Sequence, residues 1–165
     1  MSRNNALFIN GVFESVLDEI GKVQSVLPEY PMFLQPHSNS VMVKLRDDPP
    51  TLESPMQLFL STTTQLSRIA YQAEIIGWED KRLLSPAKSK VLHWIICQLQ
   101  EGEGGLYNEA KSGTGESVNL LTIRRLRRLT EEHSVAELRK ISDGEFMSTG
   151  RTTAGGWVYV HPMQW

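Results

Sequence analysis

Glu79 and Asp80 stand side by side directly after Gly77-Trp78. Paired carboxylates are what general acid–base chemistry uses. Lys81 and Arg82 follow at once, so the same stretch also reads as a solvated charge cluster. Trp78 beside two acceptors suits the recognition of a flat polar ring, and it suits equally a Trp that covers the end of a core. Ser61-Thr62-Thr63-Thr64 offers hydroxyls and amides to a phosphate, or is a plain loop. Arg124, Arg125, Arg127 and Arg128 are the one dense basic cluster. They read as a phosphate-binding surface or as an exposed face paired with Glu131 and Glu132. Lys81, Arg82, Lys88 and Lys90 form a second positive region next to Trp78, the better placed of the two to steer a polyanion towards it.

Other chemistries lack their residues. None of His37, His93, His133 and His161 pairs with Cys or another His at a metal-ligand spacing, so no metal site and no cofactor are expected. Cys97 has apolar neighbours on both flanks and no assignable base, which is the setting of a structural thiol. No GxSxG, Walker or HExxH motif occurs. No catalytic residue is assigned.

Bulk composition narrows the class. A chain of 165 residues is one ordinary domain, and 40% hydrophobic with 22% charged residues predicts a folded core. A net charge of −2 argues against gripping nucleic acid through overall charge, while leaving room for a local basic patch. No apolar run approaches the ~18 residues of a membrane span. The N-terminus is broken by polar residues and is not a signal peptide. A single Cys excludes an internal disulfide framework and fits a reducing cytoplasm.

The elements that must position these residues follow from periodicity. Met56, Leu58 and Leu60, then Ile69, Tyr71, Ala73 and Ile75, alternate with their neighbours as strands do. The short polar link Thr62–Arg68 predicts an antiparallel pair. Ala6–Ile9 reads as a first strand punctuated by Asn10-Gly11. Val12, Phe13, Val16, Leu17, Ile20 and Val23 mark one side of a helix ending by about Leu27. Met32–Leu34 is a second strand, His37–Ser40 a turn, Val41–Leu45 a third strand, and Asp47–Pro55 a loop. A helix is expected over about 86–100, with Trp94 in its apolar stripe, and Glu101–Glu116 is the expected flexible segment. Over 118–129 the spacing is ambiguous. Ile123, Leu126 and Leu129 recur by three as in a helix, whereas Val118, Leu120 and Thr122 alternate as in a strand. Ser134 and Glu137 have capping-box spacing, predicting a short helix over about 135–141. A closing strand starts at Trp157. The class is α+β, with a small, curved, mostly antiparallel sheet or barrel.

The order of these pieces resembles the PUA-like superfamily, its EVE branch in particular, with YTH and ASCH domains as relatives. The strand ending in Asn10-Gly11, the strands QLFLS and AYQAEIIG, then SVNLLTIRRLRRL, SVAELRKIS, TGRTTAGG and WVYV carry the resemblance over nearly the whole chain. It implies a small curved, mostly antiparallel β-barrel flanked by helices, with a pocket that accepts a single base. It also implies a strand over Val118–Leu129. The resemblance extends to the N-terminal reader of EVE–HNH modification-dependent restriction endonucleases, so the chain reads as a reader without its cutter, the cutter belonging beyond Trp165. The implied partner is DNA carrying a modified base, a modified cytosine such as 5-hydroxymethylcytosine or 5-methylcytosine. Any dimer would form through the absent C-terminal domain. The implied pocket comprises Asn10, Gly11, Tyr30, Gln35, His37, Ser38, Trp78, Glu79, Asp80 and Trp157. Phosphate contacts fall to Ser61, Thr62, Thr63, Lys81, Arg82, Lys88 and Lys90. A His-Ser pair common in the family is replaced by Ser61-Thr62. An RNA-binding PUA-like domain and a small hydrolase or nuclease using Glu79 and Asp80 are the competing readings.

Overall fold

The computed structural model describes residues 3–12, 14–24, 30–34, 39–80, 83, 85–88, 90, 119–150 and 156–165. Six strands make one sheet in the order β2-β5-β4-β3-β1-β6. They are β1 (Ala6–Val12), β2 (Tyr30–Leu34), β3 (Met56–Thr62), β4 (Arg68–Asp80), β5 (Asn119–Ser134) and β6 (Trp157–Val160). Among the described residues, helices α1 (Glu14–Val23) and α2 (Asn39–Asp47) contribute to the α+β class. β1 and β3 run parallel and every other neighbouring pair is antiparallel.

The sheet is open, which corrects the expectation of a barrel. Its order is linear, and among the described residues no ladder joins the two edge strands. The outer edge of β6 is occupied instead. Ile141 N donates to Tyr159 O, His161 N donates to Arg139 O, and Lys140 bridges Val160. The same pairing shortens the helix expected over 135–141. Ser134 and Glu137 do form the capping box, but the helix is a single 3-10 turn, Val135–Glu137. The next residues are drawn into edge pairing, which satisfies backbone groups that a longer helix would have satisfied internally.

Alternation in β3 and β4 gives the hairpin its register, from Met56 opposite Ile75 to Leu60 opposite Tyr71. Leu58, Leu60, Ala73 and Ile75 share one buried face with Leu7 and Ile9 of β1. Leu17 and Ile20 of α1 and Leu45 of α2 belong to the same core. The other face carries Phe8, Phe59, Val135, Leu138, Met147 and Val160. There the last residues are strapped across the sheet. Gln57 donates to Met163 O at 2.7 Å and accepts from Met163 N at 3.0 Å, and Trp165 lies against Phe59 and stacks on His133.

Residues 41–45 are helical and not the expected third strand. In a strand Val43 and Leu45 would share a face, whereas in α2 Leu45 is fully buried and Val43 is 43% exposed. Lys44 and Arg46 in the last turn suit the helix dipole. Val12 belongs to β1, and α1 begins at Glu14 and stops at Val23, short of Leu27. The helix expected over 86–100 is described only at 86–88 and 90, where the chain is helical. Trp94, Cys97 and Glu101–Glu116 lie outside the described residues.

β5 is a strand, as the family resemblance implied, and its geometry explains the three-residue spacing. Between the pairs Gln72–Arg127 and Glu74–Arg124 it holds one residue more than β4. This bulge keeps Ile123 and Leu126 in one core cluster although they are three apart. Leu129, an odd step further on, falls in the core of the opposite face.

Candidate functional site

The residues nominated from sequence separate into two groups. Asn10 and Gly11 sit at a bulge, where β1 spans Ile9 to Val12 while β3 spans only Leu60 to Thr62. The strand therefore runs on through Asn10-Gly11 and does not stop there. Gly11 adopts φ 79°, a left-handed conformation that glycine takes without Cβ strain. The bulge meets Ser61, Thr62 and Thr63 at the end of β3. Ser61 Oγ donates to Asn10 Oδ1 at 2.7 Å and accepts from Gly11 N at 2.9 Å. Thr63 N donates to Val12 O, and the hydroxyls of Thr62 and Thr64 lie 3.2 Å apart. Asn10, Ser61 and Thr62 are buried. Buried polar groups are costly unless paired, so this network is a specified feature of the fold. Asn10 N donates to Gly156 O at 2.8 Å, which brings the entry to β6 alongside. Trp157 follows, pairs with Ile9, and is 7% exposed within the main core.

Trp78, Glu79 and Asp80 form the second group. The β3–β4 ladder ends at the Met56–Ile75 pair, and beyond it these three residues pair only with β5, opposite Leu121, Leu120 and Asn119. Ala70 is next to Tyr71, the partner of Leu60, so Trp78 lies eight residues further along β4 from the level of Ser61. At about 3.3 Å per residue that is roughly 26 Å of strand. Trp78 is partly buried and packs against the main core. Glu79 is engaged by Lys88 in an ion pair between two half-exposed side chains. Lys90 is exposed. β2 borders this end of β5, with Tyr30 opposite Ile123. Gln35, His37, Ser38, Lys81 and Arg82 lie outside the described residues. The described members of the implied pocket are thus divided between two ends of the sheet.

The arginines of β5 find partners other than Glu131 and Glu132. Arg124 and Arg125 both bind Glu74, at 2.7 and 3.1 Å. Arg127 donates to the Gln72 amide oxygen at 2.9 Å. Arg128 pairs with Glu14 of α1 at 2.9 Å and lies over the Tyr71 ring. The Tyr71 hydroxyl donates to Asp18 at 2.9 Å. Burial first, and then that hydrogen bond, push the Tyr71 phenol up to about 12.

Two features had no local sequence signal. Gln24, at the end of α1, donates to Leu126 O at 2.8 Å and accepts from Leu126 N at 2.6 Å, clamping the β5 bulge. An open cleft of about 760 Å³ is lined by Arg3, Asn5, Gln57, Glu74, His161 and Gln164 among others, and by none of the nominated residues. Among the described residues no group of three or more His, Cys, Asp or Glu could hold a metal ion. Likewise, no helix among them is long and apolar enough to cross a membrane.

No family model, no curated protein and no solved structure matches the chain.

Proposed function

We propose that the chain is a PUA-like binding module that recognises a modified base, a modified cytosine, flipped out of DNA. In this reading it is the specificity domain of a modification-dependent restriction endonuclease and does not itself cut. The observation that carries the proposal is the Asn10–Ser61–Gly11 network. Asn10 is buried and held by Ser61, so the network fixes the shape of the bulge. Gly11 and the bulge let the backbone come close. Flipping a base costs a few kcal/mol, and hydrogen bonds to its edge then supply discrimination. Of the two carboxylates in the hydrolase reading, Glu79 is paired with Lys88.

The test is a binding panel of DNA with 5-hydroxymethylcytosine, 5-methylcytosine or cytosine at one position, and RNA of the same sequence. Modified DNA should bind tightest. Asn10→Ala should reduce its preference over unmodified DNA by about tenfold, or about 1.4 kcal/mol. Equal binding to all DNAs, or tighter binding to RNA, removes the modified-base reading.

A further inference from the structure

We propose that the bulged edge of β5 holds the phosphodiester backbone of the nucleic acid, with Arg125 and Arg127 as its phosphate-binding side chains. The inference rests on the nucleic-acid reading above, and it places the backbone on β5 and not on the Lys81–Lys90 region.

Beyond the Tyr30–Ile123 pair, no described strand continues the ladder along the outer side of β5. The bulge at this edge is rigidly held, since Gln24 binds both backbone groups of Leu126. Within it Arg125 has φ 54°, the left-handed region that side chains rarely enter. Gly or Asn would take that conformation with less strain, so the bulge itself does not call for Arg. Strain maintained at a charged, exposed residue points to a use for the side chain. Edge protection alone asks only for charge, which an unstrained position supplies equally well.

Among the described ion pairs, the four arginines Arg124, Arg125, Arg127 and Arg128 meet two carboxylates, Glu74 and Glu14. Arg124 makes the closer approach to Glu74 and is 22% exposed, whereas Arg125 shares the same carboxylate and is 70% exposed. Arg127 is exposed and has a neutral amide partner. Arg128 is committed to Glu14, and Asp18 adds a further negative charge through Tyr71. The excess therefore falls on Arg125 and Arg127, whose planar guanidinium groups match phosphate. Arg127 stands opposite Gln72, which stands opposite Phe59, two residues before Ser61. From β5 to β1 is three strand spacings, roughly 14 Å at about 4.8 Å each. Along a duplex axis, at about 3.4 Å per phosphate of one strand, that is about four base steps, so a backbone on β5 lies within a few nucleotides of the Asn10–Gly11 bulge.

Arg125→Gly gives the decisive test, because stability and binding should move in opposite directions. Glycine relieves the backbone, so Tm should rise or hold. Affinity for modified and unmodified DNA should fall together by about tenfold. The dependence of log K on log salt should become shallower by about 0.9. Arg127→Gln should act in the same direction on binding, with Tm unchanged. If wild type binds DNA and both variants keep its affinity and salt slope, the β5 assignment fails and the base-reading proposal stands. If the variants lose only the preference for the modified base, β5 is part of the pocket and the assignment also fails. If the wild type binds no DNA, both proposals fall.

Discussion

Trp78 shows how far a residue's type can be read without its surroundings. An indole beside two carboxylates has the chemistry of a stacking plate, and it has the volume of a core plug. In the fold it packs against the main core, beyond the end of the β3–β4 ladder, while Asn10 and Ser61 meet at the other end of the strand. Trp78→Ala is therefore expected to act on stability. A fully buried Trp costs about 3–5 kcal/mol on truncation, and for this partly exposed one about 2–3 kcal/mol is expected. The preference for modified DNA should be retained. Chemical denaturation and binding on the same variant measure both. A variant of normal stability that has lost its preference would return Trp78 to the pocket.

At the scale of the element, β5 is decided by its irregularities. Sixteen residues in one strand accumulate pairing errors unless something pins the register. Gln24 supplies that pin from α1, with two hydrogen bonds to Leu126. Gln24→Ala should cost about 1–3 kcal/mol, since it strips both backbone groups of their partner. Amide hydrogen exchange should quicken at Leu126 and its neighbours before it does so in β3. Uniform exchange with unchanged stability would show that the bulge holds itself. The same bulge made the sequence of this strand look helical. Its hydrophobic residues recur by three because one extra residue intervenes, and because the set then crosses to the other face.

For the molecule as a whole, the seam between helix layer and sheet is partly polar. Tyr71 of β4 reaches Asp18 of α1, and Arg128 of β5 reaches Glu14 of the same helix. The Tyr71 phenol is raised from 10.0 to about 12 in the fold, so the folded state favours its protonated form. Its contribution to stability is complete below pH 10 and is lost as pH rises through about 12. Denaturant midpoints measured across that window should fall for the wild type, and less for Tyr71→Phe. Identical slopes for the two proteins would show that the seam does not depend on this proton.

Strictly local patterns were legible from sequence. The alternation in 56–61 and 69–77 specified the hairpin and its buried face, because a strand's two-residue period is set by its own backbone. The Ser134–Glu137 capping box was legible for the same reason, since all its atoms lie within four residues. Residues 41–45 were misread because three alternating apolar residues fit a strand, and only packing against the core shows that Leu45 is buried while Val43 is exposed. That the sheet stays open, with residues 139–141 paired to the edge of β6, was set by contacts between separate segments. The candidate site depended on tertiary structure in the same way. Asn10 and Ser61 are fifty-one positions apart, and only the parallel pairing of β1 with β3 brings them within 2.7 Å. Trp78 and Asn10 were grouped by the family resemblance, and the length of β4 separated them, since a likeness in the order of elements carries no information about distance along a strand.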